Sequence, residues 1–137
     1  MKPQIESIYL GDLRTEATHI ASKNKIITDA PTDNNGKGEA FSPTDLVCAA
    51  LGSCMMTIMG IVAQRDNISL EGVTWKTTKI MASHPRRIAE IHVHFHFPAN
   101  INLTSAQKQK LENAARTCPV ALSLASEIKQ EVSFEYE

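Results

Sequence analysis

Alternating apolar and polar residues at the start of the chain predict a small antiparallel β-sheet. Residues 5–10 alternate in this way, Gly11-Asp12 is a turn signal, and residues 14–20 and 26–28 are compatible with strands. We expect these three segments to pair as a meander. Residues 30–40, rich in Asp, Asn and Gly, are predicted to form a loop longer than most connections, and loops of that length often carry function.

A long helix that is apolar on nearly every side is predicted after this loop. Its start is marked by Ser42, which can cap the helix, by Pro43 at the first helical position, and by Asp45, which completes a capping box. The apolar positions continue to about Asn67. A helix without a polar face is expected to lie buried in the centre of the fold.

The second half of the chain predicts a hairpin, a broken helix and a final strand. The expected elements are strands over residues 73–81 and 88–97 joined by a turn, helices from Thr104 to about Cys118 and over 120–128, and a strand over 132–136. The helix breaks because Pro119 lacks an N–H and disfavours helical geometry at the residue before it. The whole order predicts one α+β domain, residues 1–137, with helices packed on antiparallel sheet.

Composition and charge argue against several classes of function. The net charge of −1 over 137 residues gives no basic surface for nucleic acid or an anionic membrane, and 5% aromatic residues are too few for base stacking. No unbroken apolar run reaches the roughly 18 residues of a membrane span, and the start shows no secretory signal. Nucleotide-binding fingerprints are absent. We expect a cytoplasmic protein without a cofactor and without nucleic-acid or membrane partners.

Two of the three cysteines have surroundings that suggest redox chemistry. Cysteine reacts as the thiolate, so its environment must favour the anion. Cys118 is the expected N-cap of the helix that Pro119 begins, where free N–H groups and the helix dipole would make it the more acidic thiol. Cys54 lies in the middle of the long helix, where burial alone raises a thiol pKa. A reactive Cys54 therefore needs a cation from elsewhere in the fold, and arginine is the better candidate.

Packing is the alternative interpretation of each thiol. A cysteine in the middle of an apolar helix is most often part of the core. Cys48 points to a different side of the helix from Cys54 and is interpreted as packing. Gly52 and Ser53 are small, so they would let another backbone or a ligand approach the helix beside Cys54.

Three histidines alternate on one predicted strand. His92, His94 and His96 therefore share a face opposite the apolar residues. Histidines two apart on a strand can bind zinc. One alternative function is therefore a metal-binding dimer that uses this histidine face. A polar sheet face is the favoured interpretation, because no cluster of cysteines or carboxylates accompanies the histidines, and no metal site is expected.

The two cysteine motifs in this order resemble those of the OsmC/Ohr family of thiol peroxidases. One motif runs from Phe41 through Ser-Pro-Thr-Asp to Cys54, and the other is Cys118-Pro-Val. Three earlier segments are similar to the OsmC-like redox-protein branch: Arg14-Thr-Glu with His19, Thr28-Asp-Ala-Pro31, and Asn35-Gly-Lys-Gly-Glu39. The resemblance covers nearly the whole chain. It implies an intertwined homodimer in which antiparallel sheets wrap around two long central helices, with the active sites at the subunit interface.

The resemblance also implies roles for individual residues. Cys54 resembles the peroxidatic cysteine, whose thiolate attacks an organic hydroperoxide or peroxide and becomes a sulfenic acid. Cys118 resembles the resolving cysteine, which closes a Cys54–Cys118 disulfide that an external dithiol reduces. Arg14 resembles the arginine that stabilises the thiolate and the transition state.

One departure from the family pattern concerns the carboxylate that orients the arginine. Ohr-type enzymes carry a glutamate directly after the helix-start proline, whereas here Thr44 has that position and Asp45 follows. One residue is about 100° of helix, so the geometry does not transfer. Asp45 and Glu39 are both candidate partners of the arginine, and Asp45 is alternatively only a cap. The alternative function is a weakly redox-active or non-catalytic protein that binds a small apolar or sulfur-containing ligand at the dimer interface.

Overall fold

A meander of three antiparallel strands forms the N-terminal part of the chain, as the alternation predicts. The computed structural model describes residues 1–137 and divides into two compact units, residues 1–47 and 48–137. In the first unit the sheet order is β1 (Ile5–Gly11), β2 (Arg14–His19) and β3 (Lys25–Asp29). The organisation as a single domain stays a prediction.

The loop after β3 folds back on the end of that strand. It contains one short 3-10 turn, Thr32–Asn34. The N–H of Gly38 donates to the carbonyl of Ala30 at 3.2 Å, and a Cβ at Gly36 would overlap that carbonyl. Only glycine fits at this close approach. The fold-back brings Glu39, at the end of the loop, next to the end of β3.

The long helix α1 (Pro43–Arg65) begins with the predicted capping box. The Ser42 hydroxyl accepts a hydrogen bond from the N–H of Asp45 at 3.1 Å, and the Asp45 carboxylate accepts one from the N–H of Ser42 at 3.0 Å. Each side chain therefore satisfies a backbone donor that the first turn leaves without an internal partner. The helix ends two residues before the predicted boundary at Asn67, because residues 66 and 67 form a turn.

Only one side of α1 is buried within a single chain, although a helix buried on every side was expected. The buried residues recur at helical spacing and are Cys48, Leu51, Gly52, Met55, Met59 and Ala63. On the other side, apolar residues such as Ile61, which is 41% exposed, have no cover within the chain. Burial of that second side would require a partner.

By length and composition alone, α1 could also cross a membrane, and core helices of soluble proteins pass the same test. The prediction that no unbroken apolar run reaches about 18 residues still holds. Gly52, Ser53 and Gly60 interrupt a strictly apolar run, yet they leave the average hydropathy of the helix high.

The second unit contains a mixed three-stranded sheet in the order β4 (Thr74–Ala82), β5 (Arg87–Phe97) and β6 (Lys129–Tyr136). The predicted antiparallel hairpin of β4 and β5 is confirmed, but β6 pairs with β5 in parallel, so the prediction of a purely antiparallel sheet is wrong here. The reason is the crossover. A helical connection carries the chain back along the sheet, so that β6 starts at the same end as β5.

That crossover consists of α2 (Ser105–Arg116) and α3 (Pro119–Ser123). Thr104 caps α2 in a capping box with Gln107, and the break before Pro119 is as predicted. The second helical piece is much shorter than the predicted 120–128, and β6 starts earlier than predicted. Residues 124–128, which the sequence predicts as helix, instead form the bends and the turn that lead into β6.

The core of the second unit lies between α1, the sheet and the crossover helices. Its buried members are Cys48, Leu51, Met55, Met59, Ala63, Leu70, Ile91, Val93, Phe95, Phe97, Leu111, Ala115, Cys118 and Ala121. Alternate residues of β5 supply the four apolar side chains from the sheet, as the period-two pattern predicts.

The three histidines lie on the opposite face of β5 and pair with glutamates. His92 contacts Glu90 at 3.0 Å, while His94 and His96 both contact Glu135, at 3.3 and 3.0 Å. These contacts agree with the favoured interpretation of a polar sheet face. The structure contains no group of three or more His, Cys, Asp or Glu residues that could hold a metal ion.

Gly52 is where a side chain approaches α1 closely, although the sequence suggested a backbone or a ligand. A Cβ at this position would lie 2.7 Å from the indole Nε1 of Trp75. We expect Gly52→Ala to lower the free energy of unfolding by about 1–2 kcal/mol, since overpacking outweighs the gain in helix propensity. Urea denaturation measures this change. Gly60→Ala in the same helix is the matched control, because its Cβ meets nothing within 4 Å in the same chain and therefore does not overpack the core of the second unit. Equal effects of the two substitutions would contradict this account.

Candidate functional site

The two cysteines that the sequence singled out lie next to each other in the second unit. A hydrogen bond with the Cys54 thiol is one of the causes that raise the pKa of Cys118. Neither Cys54, Cys118 nor Cys48 takes part in a disulfide. Helix α1 supplies one member of the pair and the break between α2 and α3 supplies the other. Two neighbouring reduced thiols are the arrangement from which oxidation forms a disulfide.

Cys118 is the N-cap of α3, as predicted, but it is also fully buried. Its Sγ accepts a hydrogen bond from the N–H of Ala121 at 3.4 Å, and its relative exposure is 0%. Burial is the largest effect and raises the pKa of Cys118, although the N–H groups of Ala121 and Val120 act in the opposite direction. The expectation that capping makes this thiol acidic is therefore wrong. A helix of five residues offers a small dipole, and the core around the sulfur disfavours the anion.

Cys54 is the more accessible member of the pair. It is half-buried, and the neighbouring Ser53 is exposed. Cys48 is 3% exposed and belongs to the core, in agreement with its interpretation as packing. A reagent from solution therefore reaches Cys54 more easily than either of the other two thiols.

An arginine and two carboxylates form a second cluster, in the first unit. The Nε and Nη2 atoms of Arg14 donate to the two oxygens of Asp29 at 2.7 and 2.8 Å, and Nη2 also donates to Glu39 at 2.9 Å. The N–H of Glu39 donates to Asp29 at 3.1 Å. Register explains the main pair, because Arg14 on β2 lies directly opposite Asp29 on β3.

The charges of this cluster support each other. The hydrogen bond from Arg14 is the main cause that lowers the pKa of Asp29, and it outweighs the opposing effect of burial. The same hydrogen bond raises the pKa of Arg14 further above its usual range. The N–H of Glu39 and the charge of Lys37 also favour the ionised Asp29. Arg14 is therefore a fixed cation whose orientation is set by a bidentate contact.

Of the two carboxylates proposed to hold the arginine, Glu39 contacts it, while Asp45 closes the capping box of α1. The sequence interpretation missed Asp29, the main partner. A signal was present, since Asp29 is a charged residue at the end of a strand, within a segment already similar to the family. Its use required the register of β2 against β3, which the residues alone do not provide.

The arginine cluster belongs to residues 1–47 and the thiol pair to residues 48–137, so the structure brings together Arg14 with Glu39, and Cys54 with Cys118.

The family model described as OsmC-like protein matches residues 36–133. This region contains both thiols and Glu39. A search of the curated proteins returns no match.

Solved structures include one clear sequence relative. A candidate osmotic stress induced and detoxification response protein from Psychrobacter arcticus is 47% identical, with 98% of this chain and 97% of that chain covered and a TM-score of 0.94. An organic hydroperoxide resistance protein, OsmC, from Legionella pneumophila is 19% identical over 96% of both chains, with a TM-score of 0.74. An OsmC-like protein from Mycoplasma pneumoniae is 17% identical over 99% of this chain and 97% of that one, with a TM-score of 0.79. The two distant structures show the fold alone, and the predicted α+β class is confirmed.

Proposed function

This chain belongs to the OsmC-like protein family, and on that premise we propose that it is a cysteine-based thiol peroxidase. The observation that carries the proposal is the direct interaction of Cys54 and Cys118, two free thiols far apart in the sequence. A structural disulfide would be present as a covalent bond between the two sulfurs. Two cysteines that serve only packing would have no reason to lie next to each other. A reduced pair in contact is what a thiol that is oxidised and then resolved requires.

In the proposed reaction the Cys54 thiolate attacks the O–O bond of an organic hydroperoxide. An S–O bond forms, the O–O bond breaks, and the leaving alkoxide takes up a proton to become an alcohol. The sulfur of Cys118 then attacks the Cys54 sulfenic acid, which forms the disulfide and releases water. The two thiols supply the two electrons. An external dithiol restores them through a mixed disulfide.

The difference in burial supports this order of roles. The first nucleophile must meet a substrate from solution, and Cys54 is the accessible member of the pair. Cys118 is fully buried and its pKa is raised, so it carries less thiolate for a first attack. As resolving cysteine it needs to reach only its neighbour.

The proposed role of Arg14 is to stabilise the thiolate and the charge that develops on the oxygens. The family resemblance alone connects the arginine cluster with the thiol pair. The cluster supports the proposal because Arg14 is charged and held by Asp29 and Glu39. Asp45 keeps its role as a cap.

We also propose that the protein is an intertwined homodimer whose two α1 helices lie at its centre. The uncovered apolar residues support this proposal, since monomers rarely expose so many. They include Ile5, Ile8, Tyr9, Leu10, Leu13, Ile26, Ile27 and Ile61. A cytoplasmic location, without membrane or nucleic-acid partners, is part of the same proposal.

Intact-mass measurement tests the proposed chemistry. We expect the reduced protein to lose two hydrogens per chain when treated with cumene hydroperoxide, and peptide mapping to place the bond between Cys54 and Cys118. Cys48→Ser is the control, and it should behave as the wild type does. No loss of mass, or a bond that includes Cys48, would contradict the proposal. Inert thiols together with a co-purified ligand would favour the ligand-binding alternative.

A further inference from the structure

We propose that Asp29 is the residue that positions Arg14, and that Glu39 is an exchangeable second partner. The functional part of this inference rests on the proposed peroxidase activity, whereas its structural part does not. It assigns the orienting carboxylate to the end of β3, instead of to the start of α1 or to the loop before it.

The geometry of the contacts separates the two carboxylates. Asp29 accepts from both Nε and Nη2 of Arg14, so it fixes the plane of the guanidinium as well as its position. Glu39 accepts from Nη2 alone and leaves the group free to turn about that bond. A single contact restrains the arginine far less than a bidentate one.

Burial separates them in the same way. The Asp29 side chain is 0% exposed, whereas that of Glu39 is 65% exposed. A buried carboxylate without its partner would carry an uncompensated charge, which is costly in free energy. The contact between Asp29 and Arg14 therefore persists. The Glu39 side chain can rotate away from Arg14 into solvent at little cost in free energy. Asp29 also lies on a strand paired with that of Arg14, while Glu39 ends a loop.

This arrangement leaves one side of the guanidinium available. Asp29 and Glu39 use Nε and Nη2, and neither contacts Nη1. Nη1 can therefore donate to an anion while the opposite edge stays on Asp29. Departure of Glu39 would free a further donor at Nη2. Asp29 thus acts as a positioning residue, which sets the direction of the cation without meeting the substrate.

Side-chain NMR tests the structural part without any reference to activity. We expect the Arg14 Nε–H resonance to exchange slowly with water in the wild type and in Glu39→Gln, and to exchange fast in Asp29→Asn. Arg14→Lys, which removes the signal, assigns it. Glu16→Gln is the matched control, since Glu16 pairs with Lys25 at 3.3 Å on the same sheet. Slow exchange in Asp29→Asn, or its loss in Glu39→Gln, would overturn the assignment.

Kinetics test the functional part. We expect kcat/KM for an organic hydroperoxide to fall about tenfold or more in Asp29→Asn and less than about threefold in Glu39→Gln. The loss should lie mainly in kcat, with little change in KM, because Arg14 is proposed to stabilise the transition state, and a loss of packing alone would not cause that split. In the Arg14→Lys background Asp29→Asn should have little further effect.

The outcomes distinguish the two proposals. A wild type that does not react with peroxide contradicts the proposed function, and the NMR result then decides the role of Asp29 alone. A reactive wild type whose kcat survives Asp29→Asn overturns the positioning role. Asp29 also accepts from the loop at Glu39, so this variant could fail to fold. In that case Arg14→Lys decides, since it keeps the charge but loses the bidentate contact, and a full rate in it would overturn the inference.

Discussion

Cys54→Ser is expected to reduce the reaction with organic hydroperoxide to the uncatalysed background. A serine hydroxyl at this position is neither ionised near neutral pH nor able to form a sulfenic acid, so both the attack and the later disulfide are lost. Stopped-flow measurement with hydrogen peroxide and with an organic hydroperoxide shows the effect directly. The fast phase seen in the wild type should be absent for both oxidants.

Cys118→Ser is the informative companion of that variant. It should retain the first fast phase, then stop with Cys54 as a sulfenic acid that a carbon nucleophile can trap. The serine oxygen can still accept from the N–H of Ala121, so α3 keeps its cap and the comparison is not confused by unfolding. A fast phase that survives Cys54→Ser and disappears in Cys118→Ser would reverse the two roles.

Local chemistry made parts of this fold predictable from the sequence. The start of α1 follows from the positions of Ser42 and Asp45, because both partners of a capping box lie within one turn of helix. The buried face of β5 follows from strict alternation, since neighbouring side chains on a strand point to opposite faces. In both cases the interacting groups are close in sequence, so no tertiary information is needed.

The candidate site was less predictable because its electrostatics depend on tertiary burial. Pro119 predicts that Cys118 is an N-cap, but it does not predict whether the pKa of Cys118 is raised or lowered. The core that surrounds the sulfur comes from elements distant in sequence, and its effect exceeds that of two local N–H groups. Asp29 was missed for a related reason, since its pairing with Arg14 depends on strand register.

The connection to β6 shows the same limit at the level of topology. The alternating residues predicted the strand itself, but not the direction in which it pairs with β5. Strand direction is set by the path of the crossover, and that path depends on the lengths of α2 and α3. Because α3 is only five residues long, the chain turns into β6 earlier than the apolar pattern indicated.

Phe95→Ala is expected to lower the free energy of unfolding by about 3–5 kcal/mol, the largest stability effect that we predict. Phe95 is fully buried, and its ring stacks on Phe134 at a centroid distance of 5.5 Å and lies 5.8 Å from the ring of Trp75. Truncation removes both ring contacts and leaves a cavity that the surrounding strands cannot close. Urea denaturation measures the loss, and Leu122→Ala, at a side chain that is 72% exposed, should cost far less.

The same substitution connects the core with the chemistry of the thiol pair. Cys118 belongs to the core cluster that contains Phe95, so a reagent reaches its sulfur only when that core opens. Each 1.4 kcal/mol of lost stability raises the open population about tenfold. We therefore expect alkylation of Cys118 to accelerate strongly in Phe95→Ala, whereas alkylation of the half-exposed Cys54 should change little. Equal acceleration of both thiols would mean that Cys54 is protected by the same core and would remove the accessibility argument for its role as first nucleophile.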